Sequence, residues 1–132
     1  MRRASLLICA CLISAAVIFL DLLSKHYFFR PQTDHQNLGM IFDAPVPNYF
    51  IIFASGLALI AVTYAITRSI KRTDQYQTIA LAIIIGGALG NLFERIAFNY
   101  VRDWILIYRS AFNLADVSIL IGIVMLLRKT HD

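Results

Sequence analysis

Charge is scarce in this chain. Of its 132 residues, 15% are Asp, Glu, Lys or Arg and 59% are hydrophobic, whereas a soluble domain carries about 25% charged residues. That composition argues against a soluble fold. Cysteine is rarer still. Cys9 and Cys11 are two apart in an apolar run, so on a helix they point in different directions and support neither a disulfide nor a metal site. His26, His35 and His131 have no ligand spacing and no partner cysteines, so no metal and no cofactor is expected. Proline is confined to Pro31, Pro45 and Pro47, all within one segment. The net charge of +4 comes without a dense basic run. Loop charges of this kind serve membrane topology first, and nucleic acid is not an expected partner.

What the chain does have is long apolar runs. Ala4–Leu20, Tyr49–Ile66, Ile79–Leu92 and Leu114–Leu127 are almost free of charge. A membrane-spanning helix needs roughly 20 mostly apolar residues. The first two runs meet that length, and the last two meet it by extending past polar residues at one end. The expectation is an all-α membrane protein: one domain over residues 1–132, four transmembrane helices near 4–24, 49–67, 77–96 and 113–128, and outer loops at 25–48 and 97–112. The first run follows Arg2 and Arg3. It exceeds the apolar region of about 7–15 residues found in a signal peptide, and no small-x-small cleavage site follows it, so it reads as a span.

Lys and Arg favour the cytoplasmic side. One set of helix ends carries Arg2, Arg3, Arg68, Lys71, Arg72, Arg128 and Lys129. The other carries Lys25, Arg30, Arg95, Arg102 and Arg109, mixed with Asp21, Asp34, Asp43, Glu94 and Asp103. Both termini are therefore assigned to the cytoplasm. The outer loop 29–48 contains the prolines together with Asn37 and Gly39, which is turn chemistry. Trp104–Tyr108 is short and β-prone. A small extracytoplasmic β element is predicted there.

The polar residues within the apolar runs are costly in lipid and mark candidate function. Gly86 and Gly90 form a small-xxx-small pair that lets another helix approach. Asn91, Glu94 and Arg95 follow at helical spacing on one face, and their structural reading is a Glu94–Arg95 ion pair at a helix end. Asn113 and Asp116 open the last run. Their structural reading is a capping box, with the carboxylate also favoured by the helix dipole. Asp103 lies a short loop earlier, and Asp21 and Lys25 stand at the outer end of the first helix. Capping accounts for one helix end but not for several segments delivering polar side chains to one depth. Two carboxylates brought close can share a proton, so that one activates water while the other donates to a carbonyl oxygen. Ser24 beside Lys25 is the nearest approach to a Ser–Lys dyad, and adjacent helical residues do not face each other. A rival reading is a small proton-coupled transporter, which expects carboxylates near the midplane and a polar route to both sides. Here the charges crowd one side.

Five segments, in order, resemble lipoprotein signal peptidase, the bacterial type II signal peptidase: Asp21–Lys25, Asn37–Phe42, Gly86–Arg95, Val101–Trp104 and Phe112–Asp116. The resemblance covers most of the chain. It implies an aspartic endopeptidase of the bacterial inner membrane that removes the signal peptide of a prolipoprotein, cutting just before a diacylglyceryl-modified cysteine. It implies Asp103 and Asp116 as the catalytic pair, with Asn37, Asn91, Arg95 and Asn113 lining or supporting the site and Asp21 and Lys25 beside them. The expected partners are lipidated precursors and membrane lipid, with the enzyme a monomer. The chain departs from the family pattern at Glu94, where Asp is usual, and at Asn99, where Gly is usual. Glu keeps the charge and reaches farther, and Asn tolerates positive φ better than most residues. An inactive paralogue is the alternative these departures raise.

Overall fold

The computed structural model describes residues 2–38, 40–41, 44–108 and 110–129, with the backbone alone at 40, 41 and 44. Gly39, Phe42, Asp43, Arg109 and His131 lie outside the described residues. Four helices make the frame: α1 (Arg3–Phe28), α2 (Asn48–Lys71), α3 (Gln75–Phe98) and α4 (Leu114–Lys129). Among the described residues, six short strands lie in the two long loops: β1 (His35–Asn37), β2 (Met40–Ile41), β3 (Ala44–Pro45), β4 (Val101–Asp103), β5 (Ile105–Ile107) and β6 (Ser110–Phe112). The fold is thus the all-α membrane architecture with a small β element.

The helix ends follow local chemistry. Asp74 caps α3, its side chain accepting from the Gln77 N–H at 3.0 Å. Asn99 ends α3 in the left-handed conformation at φ 63°, the position at which Asn or Gly is favoured. A helix of 24 residues, α3 packs against all three others and is the most buried of them. By contrast α2 turns Phe50, Phe53, Leu57, Ile60 and Tyr64 outward. Their alternating spacing of three and four makes one continuous apolar stripe, as a lipid-facing helix requires.

Glycines set the closest approaches. A Cβ at Gly90 would stand 2.8 Å from an Asp21 carboxylate oxygen on α1, and one at Gly87 would stand 2.5 Å from the Ala115 carbonyl on α4. The predicted pair, Gly86 and Gly90, both face α1, where a Cβ at Gly86 would stand 2.7 Å from Val17, and Gly87, outside that pair, faces α4. The contacts also give direction: α1 runs parallel to α3, with Ser14 Oγ donating to the Ala82 carbonyl at 2.8 Å, whereas α4 runs antiparallel, with Lys129 paired to Asp74 at its far end.

Among the described residues, three helices are long and apolar enough to cross a membrane. The fourth, α4, has 16 residues, about 24 Å of helix against a hydrocarbon core of about 30 Å. The expected span at 113–128 is therefore short. The reason lies in where α4 starts. The Ala115 N–H donates to Asp21 Oδ1 at 2.8 Å, and Asp21 lies seven residues before the end of α1. The start of α4 is thus sunk about 10 Å below the end of α1.

The strands form three two-stranded antiparallel pairs: β1 with β4, β2 with β3, and β5 with β6. The β5–β6 hairpin falls on the predicted Trp104–Tyr108 run. The β1–β4 pair sets Asn37 opposite Val101 and His35 opposite Asp103. This pairing hangs the loop after α1 onto the loop after α3, directly above the sunken start of α4.

Candidate active site

The first turn of α4 holds a reciprocal cap. Asn113 Oδ1 accepts from the Asp116 N–H at 2.9 Å, and Asp116 Oδ2 accepts from the Asn113 N–H at 3.1 Å. The capping reading is correct, and it accounts for only part of each side chain. The remaining atoms face outward from the cap. Asn113 Nδ2 donates to Asp103 Oδ1 at 2.7 Å and to Asn91 Oδ1 at 3.0 Å. Asn91 Nδ2 donates to Asp116 Oδ1 at 2.8 Å. On the other side of Asp103, Asn37 Nδ2 donates to Oδ2 at 3.1 Å. Asn113 is therefore the link between the two aspartates, and three amides from β1, α3 and the α4 cap hold both carboxyl groups.

Asp103 is almost wholly buried and Asp116 is half-buried. Burial pushes the Asp103 carboxyl up to about 6; the Asn113 hydrogen bond opposes this, the Asp116 charge adds to it, and the Asn37 bond and the Lys25 charge oppose it. A carboxyl held mainly by neutral amides keeps access to its protonated form. Arg95 lies within electrostatic range of both Asp103 and Asp116. Its Nη1 is buried without a hydrogen-bond partner among the described residues. Arg95 and Asn91 also cap the polar end of a mostly apolar groove of about 330 Å³ between α2, α3 and α4, lined by Ile51, Ser55, Ala58, Leu59 and Ile119 among others.

Beneath this network lies a second one, built on ion pairs. Lys25, Asp21 and Glu94 are all wholly buried. Lys25 Nζ is 2.7 Å from Asp21 Oδ2, 3.1 Å from Glu94 Oε2 and 3.1 Å from Asn91 Oδ1. Glu94 Oε1 in turn accepts from Arg102 Nε at 2.6 Å. The expected Glu94–Arg95 pair is thus replaced by Glu94 with Lys25 and Arg102, because neighbours on a helix diverge. Two carboxylates face two cations, which is the condition for such groups to be tolerated in a low-dielectric interior.

Every residue singled out from the sequence reaches this region. Asp103, Asp116, Asn37, Asn91 and Asn113 share one hydrogen-bond network, Lys25 touches it through Asn91, Asp21 holds the Ala115 N–H, and Arg95 stands alongside. What the sequence reading missed is Arg102, counted only as a loop charge, and the role of Glu94. The available signal was an acidic residue at the end of α3 with a basic one just beyond a short turn. Among the described residues, no three His, Cys, Asp or Glu side chains come together as a metal site would need.

Comparison with known proteins agrees with this arrangement. The backbone superimposes on two solved structures of bacterial membrane enzymes, with TM-scores of 0.78 and 0.75 at 24% and 23% identity, each covering 92% of this chain and 87% and 92% of the other. A lipoprotein signal peptidase of Pseudomonas aeruginosa (strain UCBPP-PA14) is 33% identical over 86% of this chain and 82% of its own length, and that of Pseudomonas fluorescens (strain Pf0-1) is 34% identical over the same shares. The sequence profile described as signal peptidase (SPase) II matches residues 13–131. The peptidase reading is thereby favoured over the transporter, and the chain belongs to the signal peptidase II family of bacterial membrane proteases.

Proposed function

We propose that this protein is an aspartic endopeptidase that removes the signal peptide from diacylglyceryl-modified prolipoproteins, with Asp103 and Asp116 as the reacting pair. One observation carries the proposal: a single residue, Asn113, bonds both carboxyl groups, its side-chain Nδ2 donating to Asp103 and its backbone N–H to Asp116, and the Asp103 carboxyl is nearly sealed from water.

In this mechanism the two carboxyls hold one proton between them and bind a water molecule. The ionised member takes a proton from the water as its oxygen attacks the scissile carbonyl carbon. The protonated member gives its proton to the carbonyl oxygen. The tetrahedral intermediate then collapses, the C–N bond breaks, and the nitrogen of the lipidated cysteine leaves with a proton returned from the dyad. The Asn91, Asn37 and Asn113 amides fix the carboxyls in place. The unpaired Arg95 N–H supplies a donor for a carbonyl oxygen of the entering peptide. The apolar groove below Arg95 suits the apolar part of a membrane-borne substrate. By the Lys and Arg distribution both termini lie in the cytoplasm, and the dyad works at the outer face of the inner membrane. Since all the reacting groups come from one chain, a monomer suffices.

The test is cleavage of a lipidated precursor by purified Asp103→Asn and Asp116→Asn, with the unlipidated precursor alongside. Both variants fold and neither cleaves. Turnover near the wild-type rate in either one, or equal cutting of the two precursors by the wild type, would overturn the proposal.

A further inference from the structure

The β1–β4 pair that carries Asp103 has three residue pairs, and a two-stranded ribbon is marginal by itself in water. Something else must fix the height and angle of β4. Glu94 is placed to do so. Its Oε1 accepts from Arg102 Nε at 2.6 Å and its Oε2 from the Arg102 backbone N–H at 3.1 Å. One wholly buried carboxylate thus holds both the main chain and the side chain of the residue immediately before Asp103. The link from α3 to β4 is only Asn99 and Tyr100, so the grip closes a small ring. Glu94 Oε2 also meets Lys25 Nζ, and Lys25 holds Asn91, the amide that bonds Asp116. The side chain of Arg102 lies over the Phe98 ring, with its guanidinium carbon 5.5 Å from the ring centre, which keeps the fork oriented.

We propose that Glu94 and Arg102 are positioning residues for Asp103: the bidentate grip on Arg102 sets where the next carboxyl stands relative to Asp116. This rests on the reading of Asp103 and Asp116 as the reacting pair. A merely structural ion pair would stabilise the fold without affecting turnover by the folded enzyme.

The experiment measures kcat and KM separately, on a lipidated precursor, for folded full-length Arg102→Gln, Arg102→Lys, Glu94→Gln and the Glu94→Gln/Arg102→Gln double variant, with Asp103→Asn as the control. Arg102 is partly exposed and lies outside the helices, so its variants fold and decide the matter even if Glu94→Gln does not. Arg102→Gln lowers kcat about tenfold with KM within about twofold, as displacing a reacting group does. Arg102→Lys, which keeps the charge without the fork, recovers part of the loss. Because the two residues act as one unit, the double variant is no slower than the slower single. An unchanged kcat in Arg102→Gln, a loss confined to KM, or additive losses in the double variant would overturn the positioning role while Asp103→Asn stays inactive. An active Asp103→Asn would overturn the dyad and the positioning role with it.

Discussion

Two buried clusters of carboxylates lie side by side at one end of the bundle, and they are held differently. Asp21 and Glu94 are bonded to Lys25 and Arg102, charge against charge. Asp103 and Asp116 are bonded to the amides of Asn37, Asn91 and Asn113, with Arg95 nearby but not hydrogen-bonded to them. A carboxylate bonded to a cation is held in place by the ion pair and serves as a strut. A carboxylate bonded to amides is oriented by neutral donors. The ionic cluster builds the floor, and the amide cluster above it holds the pair proposed to react.

The comparison breaks most visibly if the amide cluster is neutralised. Asp103→Asn or Asp116→Asn lowers cleavage by about 10³-fold or more, the scale of a lost general acid or base, with thermal unfolding of the purified variants showing that the fold survives. The ionic cluster should behave in the opposite sense. Lys25→Met leaves two wholly buried carboxylates with one cation and costs about 3–5 kcal/mol of stability, read as a loss of folded protein in detergent before any assay of turnover.

A smaller effect separates the clusters by pH. The Asp103 carboxyl sits at about 6 against an ordinary 3.8, so the folded state favours its protonated form. The resulting stabilisation is present below about pH 4 and is lost as pH rises to about 6, a change of about 3 kcal/mol from two pKa units. Unfolding temperatures taken from pH 4 to 8 should fall over that window in the wild type and flatten in Asp103→Asn; a wild-type profile as flat as the variant's would mean that Asp103 is not held as described. The smallest effect lies at the turn that joins α3 to the strand carrying Asp103. Asn99→Ala places a Cβ-bearing residue without a local polar partner at φ 63° and removes the oxygen that accepts from Asn48. It costs about 1–2 kcal/mol, while Asn99→Gly stays within about 1 kcal/mol of the wild type by the same measurement.

Much of the fold is legible from the residues because the bilayer imposes it. Apolar runs of helical length have one outcome in lipid, since only a helix or a closed barrel satisfies the backbone there. Asp21 and Lys25 are four apart on α1 and could be paired from the sequence. The Asn113–Asp116 cap was equally readable. The depth at which α4 begins was not, because it is set by an Asp21 carboxylate 94 positions away in the chain. Nor was the partner of Glu94, because an acidic residue beside an arginine invites the wrong pair. Asn37 reaches Asp103 across 66 positions, through a strand pairing of three residues that no local pattern announces.

By itself, then, the sequence determined the membrane, the helices and the inventory of polar residues, because each follows from the cost of exposing charge or backbone to lipid and can be judged run by run. Only the tertiary structure decided which carboxylates meet cations and which meet amides. That choice depends on side chains brought together across long separations in the chain, at distances of about 3 Å where hydrogen bonds form, and it is this choice that sets an ion-paired cluster beside an amide-held one.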